Sequence, residues 1–220
     1  MKPGTPQIVG VILSPADFQR ATRMRNPPDL FELRLDALGA SGNAIRNAIE
    51  QLPAPAIITA RHPREGGANE LSPRERRDLL VAFLPHAAFV DIELRSVRAL
   101  AEVLREGKAN GIRIIISFHD FRGIPSATRL EEIVREARSL GADVVKIATR
   151  TDTPAQLESL LDFFERQGRT QRVVAMGIGK LGRTSRLELA RRGCALNYAH
   201  LGKAHIAGQL SISELRRALR

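Results

Sequence analysis

The sequence predicts a single (β/α)8 TIM barrel of the α/β class, and three observations predict it. A short β-branched apolar run, a loop and an amphipathic helical stretch recur eight times along 220 residues. No glycine-rich phosphate fingerprint follows the first run, which disfavours an open nucleotide-binding sheet. Charged residues interrupt the runs at alternate positions, mostly toward their C-terminal ends.

The strand candidates in order are Ile8–Leu13, Leu30–Asp36, Ala56–Arg61, Phe89–Leu94, Arg113–Phe118, Val144–Thr149, Arg172–Ile178 and Ala195–Leu201. The first runs into Ser14-Pro15, where a dinucleotide-binding turn would need glycines. Helix candidates between them include Arg95–Ala109, Leu130–Leu140 and Pro154–Arg166, each with apolar residues at helical spacing. Ser72-Pro73 and Thr153-Pro154 supply a capping hydroxyl followed by a proline suited to the first helical position. Gly111 and Gly141 fall where the helix before the next strand must stop. Strands alternating with helices imply parallel pairing with right-handed crossovers, and no Gly-, Pro- or Ser-rich linker divides residues 1–220 into two domains.

Buried parallel strands ordinarily read as near-continuous apolar runs. Here the second carries Glu32, Arg34 and Asp36 on one face. The third ends in Thr59 and Arg61, the fourth carries Asp91 and Glu93, the fifth ends at Ser117-Phe118-His119-Asp120, and the sixth has Lys146 in its middle. Polar strand ends touching solvent separately are the alternative. Convergence on the mouth of a barrel, where such enzymes build active sites, accounts for more of them.

Composition narrows the function classes. A formal charge of +10 invites nucleic acid as a partner, yet aromatic residues are only 4%. The arginines are spread over polar helix stretches (Arg74, Arg76, Arg77, Arg95, Arg98, Arg105), which reads as a solvated surface without a nucleic-acid site. One cysteine, Cys194, cannot close an internal disulfide, and no run approaches the roughly 20 apolar residues of a membrane span. The short apolar run of MKPGTPQIVGVIL is a poor signal peptide, so a cytoplasmic protein is expected. Histidines 62, 86, 119, 200 and 205 show no metal-ligand spacing, and no metal or cofactor is expected.

Lys146 is the most informative residue. The chain uses arginine almost everywhere and keeps lysine only at positions 2, 108, 146, 180 and 203. Arginine stays charged, whereas a lysine buried near other cations is pushed toward the free amine that attacks ketones. The alternatives for Lys146 are snorkelling to solvent or pairing with Glu32 or Glu93. His119 ends the preceding strand, and imidazole can take and return a proton in one turnover. Glu65, in the loop after the third strand, is a candidate to orient it, while Asp120 points to the other face. Arg34, Arg61 and Arg186 are candidate binders of hydroxyls or carboxylate. Arg186 follows a glycine-rich loop after the seventh strand, where barrels often bind anions.

In their order these residues resemble the type I 3-dehydroquinate dehydratases, the Schiff-base enzymes of the shikimate pathway. The resemblance rests on Glu32–Asp36, Thr59–Arg61 with Glu65-Gly66-Gly67, Val90–Glu93, Ser117–Phe121, Val145–Ala148, the loop from Met176-Gly177 to Ser185-Arg186, and Gly208-Gln209. It implies dehydration of 3-dehydroquinate, a small anionic substrate, through an imine on Lys146 with His119 as general acid and base and Glu65 orienting it. It further implies that Glu32, Arg34 and Arg61 hold ring hydroxyls, that Arg186 and Gln209 hold the carboxylate, and that 202–209 is a lid. The family often forms dimers, so a homodimer is expected. His205 stands where a small hydroxyl residue is usual and still offers a ring donor to the carboxylate. Ile178 replaces a methionine, and Tyr198 falls where an aromatic pocket residue is expected. Two rivals are a class I aldolase, which would need a sugar-phosphate site, and a basic nucleic-acid-binding barrel, which leaves Lys146 and His119 without a role.

Overall fold

The computed structural model describes residues 6–39, 42–167 and 172–219; Lys2 and the head of the N-terminal segment lie outside them. The eight apolar runs form parallel strands: β1 (Gln7–Ile12), β2 (Leu30–Arg34), β3 (Ala56–Thr59), β4 (Ala87–Glu93), β5 (Arg113–Asp120), β6 (Val144–Arg150), β7 (Val173–Ile178) and β8 (Leu196–His200). The helices are α1 (Pro15–Thr22), α2 (Leu35–Leu38), α3 (Gly42–Ala48), α4 (Pro73–Phe83), α5 (Ala101–Ala109), α6 (Ala127–Ser139), α7 (Pro154–Gln167), α8 (Gly182–Arg191) and α9 (Ile212–Ala218). The result is a (β/α)8 barrel.

Strand order runs β7-β6-β5-β4-β3-β2-β1-β8, and β8 gains a two-residue partner, β9 (Leu210–Ser211). Between β8 and β7 the ring is bridged at its mouth by this segment. Leu210 pairs with Ala199 of β8, while Gly179 N, just past β7, donates to Ala207 O at 3.3 Å. The stretch after β8 is therefore built into the barrel wall as well as lying over the mouth.

Local chemistry explains the helix ends. Ser72 caps α4 in a reciprocal capping box with Glu75, Pro73 opening the helix, and Thr153 Oγ1 accepts from Gln156 N before α7. Gly111 and Gly141 adopt φ of 70° and 85° just past α5 and α6. Each helix then buries one apolar stripe against the strands. On α6 it is Leu130, Ile133, Val134 and Ala137, and each large aliphatic chain so buried contributes roughly 1.5–3 kcal/mol. Among the described residues no helix is long and apolar enough to cross a membrane.

Three expectations are corrected. The second strand ends at Arg34, and Asp36 lies in the turn of α2, where its carboxylate gathers Arg34, the Arg61 amide and the Ala68 amide. The helix expected over Arg95–Ala109 begins as a separate tight turn, Leu94–Ser96, because Ser96 Oγ is drawn inward to Arg76 Nη1 at 3.1 Å. Arg76 itself, read as a surface arginine, is 2% exposed. It donates to Ala60 O and Ser96 Oγ and pairs with Glu93 between α4 and the barrel.

Candidate active site

Alternate residues of the strands face the barrel interior, so the pairs Val11/Leu13, Glu32/Arg34, Lys146/Ala148 and Met176/Ile178 line the same space. That space is a cavity of about 210 Å³ at the mouth. Each of the nine candidate catalytic and binding residues lines it: Glu32, Arg34, Arg61, Glu65, His119, Lys146, Arg186, His205 and Gln209.

Lys146 projects from the third position of β6 and is 3% exposed. Its Nζ lies 3.0 Å from Asp91 Oδ2, 3.2 Å from Glu32 Oε1 and 3.9 Å above the centre of the Tyr198 ring. Sequence reasoning expected nearby cations, with pairing to Glu32 or Glu93 as an alternative; the partners are the carboxylates of Glu32 and Asp91. The reason is register, since β2 and β4 each send an acidic residue to the same level of the barrel.

Asp91 is the hub beneath the amine. Arg61 grips both of its oxygens, Nη1 to Oδ1 at 3.1 Å and Nη2 to Oδ2 at 2.8 Å, and Ser117 Oγ donates to Oδ1 at 2.6 Å. Burial pushes this carboxyl upward, but Arg61 and Lys146 overcome it and hold Asp91 far below the usual carboxylate range. Arg61 also donates to Glu93, whose other oxygen holds Arg76. Arg61 thus lies on the cavity floor with Nη1 occupied by protein acceptors and Nη2 donating once, to Asp91. Arg34 is clamped by Asp36 and by Gly66 O.

His119, next to last in β5, has its Nδ1 2.9 Å from Glu65 Oε2, and the same oxygen accepts the His119 backbone N–H at 3.0 Å. Glu65 is placed by a tight turn, Pro63–Glu65, closed by Gly66 at φ 85°. A side chain on Gly66 would come within 2.9 Å of Phe121, so the turn needs glycine on both counts. Burial, together with Arg61 and Lys146, holds His119 well below the ordinary imidazole range. Burial and the neighbouring Glu93 raise Glu65 to about 7, against the pull of Arg61, Arg95 and the His119 amide. A neutral imidazole with Nδ1–H on the carboxylate leaves Nε2 as the ring's free acceptor.

On the opposite wall Arg186 comes from α8 and is buried, with Nη1 3.4 Å from Tyr198 O and Nε without a partner among the described residues. Burial lowers it to about 10, because no carboxylate compensates the charge. The Tyr198 hydroxyl is likewise buried and unpartnered. His205 and Gln209 reach the cavity from the segment after β8, tied together where His205 N donates to Gln209 Oε1 at 3.1 Å.

The sequence model of the type I 3-dehydroquinase family matches residues 15–220. This chain belongs to that family. A 3-dehydroquinate dehydratase of Methanothermobacter thermautotrophicus is 35% identical over 192 residues, covering 87% of this chain and 84% of its own length. That of Thermococcus gammatolerans is 34% identical, with 96% and 97% covered. The crystal structure of 3-dehydroquinate dehydratase from Geobacillus kaustophilus superposes with a TM-score of 0.84 at 28% identity, covering 97% of this chain and 90% of the other.

Within this type I 3-dehydroquinase, sequence reasoning carried Asp91 and Ser117 to the barrel mouth without giving them a role, and it left Arg76 on the surface. Asp91 and Ser117 were visible as polar residues in apolar strands. Arg76 carried a signal too, for Arg76, Leu80 and Phe83 share the buried face of α4 at helical spacing.

Proposed function

We propose that this chain dehydrates 3-dehydroquinate to 3-dehydroshikimate through an imine on Lys146. The observation that carries the proposal is a lysine buried mid-strand in one cavity with a Glu65-held histidine, in a chain of the 3-dehydroquinase family.

Lys146 first yields a proton to His119, the free amine attacks the ring ketone carbon, and His119 returns that proton to the carbinolamine hydroxyl, which leaves as water to give a protonated imine. Glu32 and Asp91 pair a positive nitrogen at this place, as ammonium and as iminium alike, so the electron sink forms where its counter-charges already stand. His119 then removes a proton from the carbon next to the imine, and the electron pair moves into the iminium to give an enamine. The enamine expels the hydroxyl beyond that carbon, which departs as water with the proton His119 returns. Hydrolysis of the conjugated imine releases the enone and restores Lys146. Glu65 keeps the His119 tautomer and orientation through this cycle.

Arg186 and Gln209 hold the substrate carboxylate, with His205 beside them, and an anion there supplies the partner that the buried guanidinium lacks. Glu32, Arg34 and Arg61 take the ring hydroxyls. Segment 202–209 covers the mouth and keeps water from the imine until release. The reading takes residues 1–220 as one catalytic barrel in the cytoplasm, a homodimer acting on a small anion without metal, cofactor or nucleic acid.

Turnover tests it: purified protein with 3-dehydroquinate should generate the absorbance of the conjugated enone, and Lys146→Ala should not. An inert wild-type chain sinks the proposal. Light scattering of the purified protein tests the dimer.

A further inference from the structure

Glu65, His119 and Phe121 line two spaces: the mouth cavity and a second, outer groove of about 790 Å³. The catalytic pair is thus a wall one residue thick. The two oxygens of Glu65 divide between its sides. Oε2 meets His119, and Oε1 lies 3.5 Å from Arg95 Nε, which lines the groove.

The groove is cationic at its rim and apolar at its floor. Arg64, Arg95, Arg122 and Arg129 border it, over half-buried Phe118 and Phe121. The Arg64 and Arg122 guanidinium groups have no partner among the described residues, while Arg129 shares Glu132 at 3.0 Å. Three acids also line it: Glu65 meets Arg95, Asp120 accepts the Arg122 and Gly123 amides through Oδ1, and Glu136 has no ion pair among the described residues. Four arginines against three acids leave a formal surplus of one positive charge along the lining, with the Arg64 and Arg122 guanidinium groups open to an anionic guest.

We propose that this groove binds a small polyvalent anion, a polycarboxylate or a phosphate, which slows turnover by drawing Arg95 away from Glu65. The inference rests on the catalytic reading of Glu65 and His119. The sign follows from what faces Glu65: Glu93 raises its proton affinity, Arg61, Arg95 and the His119 amide lower it, and the His119 ring shares its proton. An anion that occupies Arg95 weakens one of the lowering contacts. Glu65 then keeps its proton to higher pH, and the acid limb of the rate profile moves up.

The test uses citrate and inorganic phosphate at constant ionic strength, so that carboxylate and phosphate guests are told apart. Calorimetry should show saturable binding of at least one to the wild type and its loss in Arg122→Gln/Arg129→Gln, whose kcat/KM without anion is unchanged. Inhibition should be non-competitive with 3-dehydroquinate. At pH 6 kcat/KM should fall about threefold, as a half-unit rise in proton affinity gives on an acid limb, and at pH 9 it should not change. Arg95→Gln should remove this inhibition. Competitive inhibition would place the anion on Arg186 and overturn the proposal, as would binding that survives the double variant or no binding of either anion. An active enzyme that binds neither anion defeats the groove alone. A chain without turnover defeats the catalytic reading instead, and calorimetry still decides the groove.

Discussion

Lys146 Nζ lies 3.0 Å from the Asp91 oxygen that also receives Arg61 Nη2 at 2.8 Å. One carboxylate therefore pairs with two buried cations, one on β6 and one just past the end of β3. The chain Arg76–Glu93–Arg61–Asp91–Lys146 alternates in sign across the barrel floor, and each member is fully or nearly fully buried. Such a set is stable only while complete, because removing one member strands a charge in a low-dielectric interior.

Asp91→Asn should accordingly damage both stability and rate. Two cations lose their shared counter-charge, and breaking a buried pair costs about 3–5 kcal/mol. Urea unfolding should show a loss of that order, and kcat should fall about 100-fold as the iminium loses a stabilising charge. A variant with wild-type unfolding would contradict the hub role.

Glu65 gives a pH prediction whose sign is fixed. Its carboxyl is raised in the folded state from 4.5 to about 7, so its contribution to stability is complete below the unfolded value and is lost as pH rises through about 7. Glu65→Gln removes that loss. Relative to wild type, the variant should gain stability between pH 4.5 and 8, by up to about 3 kcal/mol, at 1.36 kcal/mol per unit. Paired unfolding curves at the two pH values measure it. Wild-type kcat/KM should also show an acid limb near 7, and Glu65→Gln should flatten it.

Arg186 is predicted to trade stability for binding. Its guanidinium is buried without a carboxylate and lowered to about 10, so folding carries the cost of a desolvated cation. Arg186→Met should unfold at higher denaturant, by about 1–2 kcal/mol, while kcat/KM for 3-dehydroquinate falls at least 100-fold. Arg186→Lys should not restore the rate, since a point charge does not reproduce the two-pronged grip on a carboxylate.

Gly208 tests the anchoring of the segment over the mouth. It holds φ 86°, and a Cβ there would lie 2.6 Å from the Gly182 and Arg183 backbone, where the segment meets the start of α8. Gly208→Ala should displace Gln209 and raise KM about tenfold with a smaller change in unfolding, because the strain falls on a surface segment. Steady-state kinetics on the folded variant checks this.

The strand set and the residues at the mouth were legible because barrel chemistry writes polar residues at alternate positions of otherwise apolar runs. Lys146 and His119 stood out on that basis, Arg186 by its place after the glycine-rich loop that follows the seventh strand, and Glu65 as a loop carboxylate that could orient His119. What escaped depends on contacts across the barrel. Asp91 looked like one more acidic strand residue until the registers of β3, β4 and β5 set it against Arg61, Ser117 and Lys146. Arg76 read as surface because arginine is common on these helices, although its spacing to Leu80 and Phe83 placed it inward. The break after Arg34 was hidden because a strand pattern continues through Asp36. Only the amides that Asp36 collects from residues 61 and 68 show why the chain turns there. The role of Leu210–Ser211 in bridging the wall lies in a segment too short to carry any period.

The central claim is an imine on Lys146, and borohydride reduction in the presence of 3-dehydroquinate tests it most directly. Intact-mass and peptide mass spectrometry should find a reduced ligand adduct on the peptide containing Lys146 in the wild type and none in Lys146→Ala. His119→Ala should still be trapped while its kcat falls about 100- to 10,000-fold, since His119 serves the proton transfers. An unmodified Lys146 in an enzyme that turns over, or an adduct on another lysine, would contradict the account.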